Sequence, residues 1–283
     1  MRFRFIEAEK ANHSVALLCR VLQVTRAGLY AYRKRPMSAR QRRERELAML
    51  VRVAFLENRG RYGSPRVHAE LRSRNEAVSR KRVARLMREQ GLAARPRRRF
   101  VVTTRPDADR QPAPNLLARN FNVTQPDRVW AGDITYFPTR EGWLYLAVML
   151  DMCSRRVVGW ATSATIDHNL VCSAFQSAVA QRGPAPGLIA HSDRGCQYTS
   201  DAYQKRLTAA GATCSMSRKG NCWDNAAVES FNGSIKRELA LSPTVSRREA
   251  QDALFEYIEA FYNSRRRHST LGYLSPADFE KQM

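Results

Sequence analysis

Residues 129–162 read VWAGDITYFPTREGWLYLAVMLDMCSRRVVGWAT. Three runs in this stretch are strand-sized and rich in β-branched and aromatic residues: Val129 to Phe137, Trp143 to Asp151, and Arg155 to Thr162. Tight turns separate them, and Met152-Cys153-Ser154 predicts an antiparallel hairpin between the last two. In the first run one acid, Asp133, stands among Trp, Ile, Tyr and Phe, where an unpaired charge is costly. A charge in that position suggests a task other than packing.

Downstream the period changes. Leu170, Val171, Ala174, Phe175, Ala178 and Val179 recur at helical spacing. A strand (Gly187 to Ser192), a helix (about Asp201 to Ala210), a short strand (Thr213 to Met216) and a long helix from about Asp224 follow. Three strands and then alternating helix and strand predict a mixed five-stranded sheet flanked by helices, an α/β unit. This order of elements resembles that of RNase H-like folds. The last helix opens with a capping box, Ser246-Arg247-Arg248-Glu249, and carries Ala250, Ala253, Leu254, Tyr257, Ile258, Phe261 and Tyr262 on one face. It is expected to pack on the core, leaving Arg265, Arg266 and Arg267 to meet phosphate.

Upstream the material is different. The 283-residue chain has a formal net charge of +22, which implies a polyanionic partner. Residues 1–110 hold 29 Lys and Arg against 10 Asp and Glu, whereas residues 111–283 hold 19 against 16. The basic part also carries regular apolar spacing, so it reads as folded helices rather than a solvated tail. Ser14 precedes one helical run and Thr25 caps a second, a helix-turn-helix spacing. A charged helix spans about Ala39 to Glu57, Ser64-Pro65 starts another, and Ser79 starts a third that ends at Gly91. In that third helix Val83, Leu86 and Met87 form the buried stripe. Arg80, Lys81, Arg85 and Arg88 are then free to face outward, as a DNA groove would need. Residues 95–126 carry Pro96, Pro106, Pro112, Pro114 and Pro126 with the run Arg97-Arg98-Arg99, which predicts a stiff basic linker tracking DNA.

The expected organisation is thus a helix-turn-helix-like segment (1–37), a helical DNA-binding domain (38–94), a basic Pro-rich linker (95–126), a catalytic core (127–241), and a C-terminal helix with basic tail packed on that core (242–283). The six cysteines show no Cys-x-x-Cys spacing and no His pair that would complete a zinc site. No stretch reaches the roughly 18 uncharged apolar residues of a membrane span, and the N-terminus lacks a signal-peptide core.

Two further acids join Asp133. Asp193 follows the apolar strand directly, at the C-terminal end where open α/β sheets place ligands. Glu229 lies on a helix between Asn225 and Asn232-Gly233, on a small and polar face. Hard divalent ions take oxygen ligands and keep several waters, so two or three carboxylates hold them. Two such ions serve a phosphodiester displacement by activating the attacking oxygen and stabilising the leaving one. Each acid also has a structural explanation: Asp133 capping a turn, Asp193 starting an Asx-turn, Glu229 pairing with Lys236.

The segments WAGDITY (130–136), WLYLAVMLDMCSRRVVGWAT (143–162), HSDRGCQYTS (191–200), SMSRKGNCWDNAAVESFNGSIKR (215–237) and YNSRRRHSTLGYLSP (262–276) closely resemble the integrase-like core of bacterial insertion-sequence transposases of the OrfB type. Residues 40–100 are similar to the helix-turn-helix segment that precedes that core. The resemblance places the family's catalytic and metal-holding Asp-Asp-Glu triad on Asp133, Asp193 and Glu229. Between the second and third acids lie 35 residues, a spacing shared with retroviral integrases. Ala190 departs from relatives with a second His before His191, and the absent zinc module separates this chain from the retroviral branch.

The resemblance implies a DNA transposase: cleavage at insertion-sequence ends, then strand transfer by the freed 3′-OH, with two Mg²⁺ per site that Mn²⁺ replaces. The implied partners are terminal-repeat and target DNA, further copies of the chain on that DNA, and the product of an upstream overlapping frame, in a bacterial cytoplasm at the nucleoid. Around the triad, Lys236 lies seven residues past Glu229 and is expected to hold the DNA end. Asn225 is expected to orient the carboxylate or a metal-bound water. His191 either orders the site or is a core histidine, and Trp223 either stacks on a base or packs inside. An RNase H-like nuclease or resolvase, or an end-binding regulator without catalysis, would share parts of this pattern.

The charge asymmetry makes a direct prediction. A fragment of residues 1–110 should bind duplex DNA, and its log affinity should fall with log salt by roughly 0.9 per phosphate contact. Titration of labelled duplex across salt concentrations measures this, and no binding at low salt would refute the assignment of this half as the DNA-gripping part.

Overall fold

A computed structural model describes residues 1–95, 113–118, 122–218 and 222–283; the linker arginines Arg97, Arg98 and Arg99 lie outside the described residues. The N-terminal part is helical: α1 (Arg2–Glu9), α2 (Val15–Val21), α3 (Arg26–Lys34), α4 (Ala39–Glu57), α5 (Ser64–Ser73) and α6 (Arg80–Glu89). Thr25 caps α3 as expected from sequence, and Ser14 and Ser79, expected at helix starts, cap α2 and α6. Ser14, Thr25 and Ser79 each accept a bond from a backbone N–H three residues on, at 3.3, 3.0 and 3.3 Å. Helices α1–α3 enclose a small core of Ile6, Leu18, Cys19 and Leu29.

The second part holds β1 (Val129–Thr139), β2 (Gly142–Asp151), β3 (Val157–Ser163), α7 (His168–Arg182), β4 (Ile189–Ser192), α8 (Asp201–Ala209), β5 (Thr213–Met216), α9 (Ala226–Leu239), α10 (Arg247–Phe255) and α11 (Pro276–Glu280). The strands form one sheet in the order β3-β2-β1-β4-β5. β1, β2 and β3 run antiparallel, and β4 and β5 pair parallel to β1. It is the expected mixed sheet, and helices cover both faces. Trp130, Ala147 and Met149 pack with α7 and α8 on one side; Val129, Ala131, Leu146 and Val148 pack with α9 and α10 on the other. Among the described residues no helix is long and apolar enough to cross a membrane.

Two differences from the sequence reading have a clear physical cause. β3 begins at Val157 rather than Arg155 because Asp151 Oδ1 accepts the N–H groups of Cys153 and Ser154, at 3.0 and 2.7 Å, and curls the chain. Arg155 then takes a left-handed φ of 60°. Second, α10 widens into a π-helix from Glu256 to Asn263. The extra residue per turn brings Asn263 to the sheet edge, where its amide pairs with the N–H and the carbonyl of Val157, both at 2.9 Å.

Helices α4–α6 are not a separate bead. Their core of Leu47, Val51, Phe55, Val67, Leu71 and Val83 is continuous with the α9–α10 side of the sheet. Polar contacts reinforce the junction. Tyr62 donates to the carbonyl of Arg265 and accepts from the N–H of Arg267, and Arg267 pairs with Glu70 at 2.7 Å. Within the second part, Arg266 donates two bonds to buried Glu238 on α9, at 2.8 and 2.7 Å, and Tyr257 donates a third at 2.8 Å. Burial alone would raise the Glu238 pKa, but these bonds outweigh it and hold the carboxylate ionised. Removing one partner of such a buried pair costs about 3–5 kcal/mol.

The backbones of β3 and α7 approach closely at Gly159. A Cβ built on Gly159 would lie 2.4 Å from the Ala178 nitrogen and 2.5 Å from the Ala174 carbonyl oxygen, so only glycine fits. Gly233, inside α9, has open space around it. Gly159→Ala should destabilise the protein by about 1–3 kcal/mol or more, whereas Gly233→Ala should stabilise it by up to about 1 kcal/mol. Denaturant midpoints of the two variants measure this, and similar small effects at both positions would contradict the close approach.

Candidate active site

The sheet topology brings two of the acids together. β1 and β4 are parallel, with Ala131 opposite His191 as their last common pair. Two residues further along each strand direction come Asp133 and Asp193, so the two acids occupy equivalent places on neighbouring chains. Asp193 is the first residue past the end of β4, and there β1 loses its β4 neighbour. The gap between the strands opens at that point.

α9 closes the third side. Asn225 Nδ2 donates to the Gly132 carbonyl at 3.2 Å, and Asn232 Nδ2 donates to Asp133 Oδ2 at 2.9 Å. Glu229 lies one turn from each on the same helix face. Burial pushes the Asp133 pKa up to about 8, reinforced by the Asp193 and Glu229 carboxylates, against the lowering effect of bonds from the Ile134 N–H and Asn232. Glu229 is raised by burial and then by Asp193. Among the described residues no three acidic, His or Cys side chains stand close enough to form a ready-made metal cage. The three carboxylates feel one another's charge without closing on a common point.

Small residues make room for this. A side chain on Gly132 would meet the Met149 sulfur at 3.1 Å and the Tyr198 ring and hydroxyl at 3.3 Å. Asp193 Oδ1 accepts the Gly195 N–H at 3.0 Å, so the Asx-turn weighed from sequence does form, alongside the placement beside Asp133. Three buried polar atoms nearby have no protein partner among the described residues: Asn225 Oδ1, Asn232 Oδ1 and the Tyr198 hydroxyl.

The supporting residues distribute unevenly. Asn225 contacts the backbone beside Asp133 rather than Glu229, and Asn232, noted from sequence on the polar face around Glu229 but given no role there, is the residue that holds Asp133. Of the alternatives open for His191, the structure gives the core histidine: it is fully buried, with its ring nitrogens 2.9 and 3.2 Å from the hydroxyls of Ser215 and Ser217. Burial lowers its pKa to about 4, so it stays neutral. Asp224, also given no role from sequence, is fully buried and accepts bonds from Asn115, the Arg218 N–H and the Arg218 guanidinium. Its position next to Asn225 was the available signal. The Trp223 side chain lies outside the described residues.

Lys236 does not pair with Glu229. Its ammonium lies 4.3 Å over the Tyr136 ring, a cation–π contact, with Asp133 adding a favourable field. On α6, Arg80, Lys81, Arg85 and Arg88 are all exposed. Arg85 is ion-paired with Glu44 and Glu89. The C-terminal run needs correction. Arg266 is 2% exposed and bonded to Glu238, so it cannot meet phosphate. Arg267 directs its guanidinium to Glu70, Ser73 and the Tyr273 carbonyl. Only Arg265 is left on the surface. The sequence alone shows this helix end as free because the partner acids, Glu70 and Glu238, are distant along the chain.

The strained carboxylates predict a pH dependence. Asp133 titrates near 3.8 when exposed and near 8 when folded, so across that interval the folded state keeps a proton that the unfolded state has lost. Stability from this group therefore falls as pH rises through the interval. Asp133→Asn, which has no such proton, should gain thermal stability over the parent as pH rises from about 4, levelling above about 8. Melting curves in chelator-treated buffer test this, and parallel curves for the two proteins would contradict it.

The integrase core domain family matches residues 123–222 and again 210–276, and an HTH-like domain family matches residues 41–100. Transposase InsF for insertion sequence IS3A of Escherichia coli K12 is 42% identical over 285 aligned residues, covering 100% of this chain and 99% of that protein. The transposase for insertion sequence element IS904 of Lactococcus lactis is 45% identical over 246 residues, 86% of this chain and 97% of its own. Among solved structures, the HTLV-2 integrase catalytic core domain in complex with magnesium aligns with a TM-score of 0.42 at 22% identity, over 55% of this chain and 97% of its own. Full-length identity at this level establishes the assignment: the chain belongs to the IS3-type insertion-sequence transposases with an integrase core.

Proposed function

We propose that Asp133, Asp193 and Glu229 are the catalytic carboxylates with which this transposase cuts DNA at the ends of its element and joins the freed 3′-OH to another strand. The observation that carries this reading is the juxtaposition of Asp133 and Asp193 just past the point where the parallel pairing of β1 with β4 ends, with Glu229 facing them from α9. Like charges so arranged raise one another's proton affinity, which a divalent cation would reverse.

The donor set supports such an ion. It consists of carboxylate oxygens and is bordered by the unpartnered oxygens of Asn225, Asn232 and Tyr198. Hard oxygen donors suit Mg²⁺, or Mn²⁺ in its place, and disfavour softer metals. Asp133, Asp193 and Glu229 would hold the ions. Two of them, when bound, would favour the deprotonated attacking oxygen and neutralise the leaving one.

The remaining residues bind and orient. Asn232 fixes the rotamer of Asp133, and Asn225 ties the start of α9 to the strand carrying it. Lys236 offers a cation beside the site for the phosphates of the DNA end. Arg80, Lys81 and Arg88, exposed on α6, and the linker arginines Arg97, Arg98 and Arg99 would grip the duplex further out. Because DNA ends are brought together in pairs, further copies of the chain, and the product of an upstream frame, are the expected company, in the bacterial cytoplasm.

Asp193→Asn is the decisive substitution, since the carboxamide keeps the shape and loses the charge. Cleavage and strand transfer on element-end DNA with Mg²⁺ should vanish, while DNA binding and the fold remain. Mg²⁺ should also raise the melting temperature of the parent but not of this variant. Substantial Mg²⁺-dependent activity in Asp193→Asn would refute the assignment.

A further inference from the structure

The tip of the β1–β2 hairpin carries a feature that neither packing nor the acid site explains. Trp143 is 49% exposed, on a strand otherwise largely buried. It meets Tyr136 edge-to-face, ring centroids 4.9 Å apart at 82°, and Tyr145 lies 6.5 Å from Tyr136. The Tyr136 ring also receives the Lys236 ammonium, at 4.3 Å. Three aromatic rings and a cation thus form one shelf. Tyr136 is three residues from Asp133, about 10 Å along the strand.

The shelf is held rigidly. The Arg140 N–H donates to the Val245 carbonyl at 2.8 Å, and Arg247 donates to Glu141 through its backbone and its guanidinium, at 2.9 and 2.7 Å. These bonds clamp the hairpin to the start of α10. The charge around it is mixed. Arg140 pairs with exposed Glu141 at 3.7 Å and exposed Glu249 caps the start of α10, while Arg248 is exposed at the rim.

We propose that Trp143, Tyr136 and Lys236 form a stacking subsite for an unpaired nucleotide of the DNA substrate, the base lying on Trp143 and the phosphate near Lys236. A π-face with a cation beside it matches the two chemistries of a nucleotide, and only a base out of the duplex exposes its own face. The ammonium of exposed Lys236 against the Tyr136 ring, with Arg248 at the rim, favours this polyanion over an apolar protein surface. The inference rests on the transposase reading and adds a place for the strand that is melted or left overhanging beside the cut.

The test uses the full chain, its Trp143→Ala and Trp143→Phe variants, and duplex DNA that is either blunt or carries a short single-stranded tail containing 2-aminopurine. Trp143→Ala should weaken tailed-duplex binding about tenfold, the loss of one base–aromatic stack, and abolish the fluorescence quench of the tail. Binding to the blunt duplex should be unchanged, and Trp143→Phe should keep most of the tail preference. Asp193→Asn should behave as the parent here, so loss of catalysis and loss of the shelf are read separately. Equal tailed-duplex affinity and quench in parent and Trp143→Ala would overturn the proposal. So would a change of oligomeric state in Trp143→Ala with tail binding intact, which would make this face a self-association surface.

Discussion

Parallel pairing of β1 with β4 is the constraint from which the site follows. It sets Asp133 and Asp193 level on adjacent strands and ends the shared hydrogen bonds two residues before them. Both carboxylates then share a gap where the backbone no longer fills the space, and the fold accepts their repulsion there. Burial first, and that repulsion after it, raise the Asp133 pKa, and the bonds from the Ile134 N–H and Asn232 offset only part of the rise. Gly132 and Gly195, close to the two acids in sequence, each admit a close neighbour: the Met149 sulfur and the Tyr198 ring at the first, the Asp193 carboxylate at the second.

A second set of interactions decides where α9, and therefore Glu229, lies. Glu238, near the end of that helix, is buried and neutralised by Arg266, with Tyr257 completing its oxygens. The next residue, Arg267, reaches into the helical part through Glu70 and Ser73. Adjacent residues of one short segment thus fasten both the acid-bearing helix and α5. The π-helix that precedes them places Asn263 on β3, so the same segment also borders the sheet.

Much of this was legible in the amino-acid order. Period-two and helical patterning located the strands and helices because each buries one continuous apolar face, and Ser or Thr caps marked the starts of helices. Asp133 and Asp193 could be picked out because each interrupts or ends an apolar strand. What escaped was set by contacts between distant residues. Arg266 and Glu238 are 28 positions apart, and Arg267 and Glu70 are 197 apart. A basic run at a helix end therefore looked free when two of its three members were already spoken for. The roles of Asn232, visible only as part of a polar face, and of Asp224 escaped for a similar reason: an amide or acid on a polar stretch has no signature until its partner strand or loop is in place. The π-widening left no trace in a pattern read at 3.6 residues per turn.

The dual fastening through Arg266 and Arg267 has a consequence for modularity. Helix-turn-helix units are commonly imagined as exchangeable address labels, to be grafted from one recombinase onto another. Here the label and the engine share a keystone that belongs, by sequence, to neither: Tyr62, Arg66 and Glu70 on the label side grip the backbone and side chains of residues 265–267, which in turn grip α9. A chimaera joined within the Pro-rich linker would bring in a foreign α5 against the resident tail and leave Arg267 facing the wrong surface. Retargeting such an enzyme means transplanting two pieces far apart in the chain as though they were one.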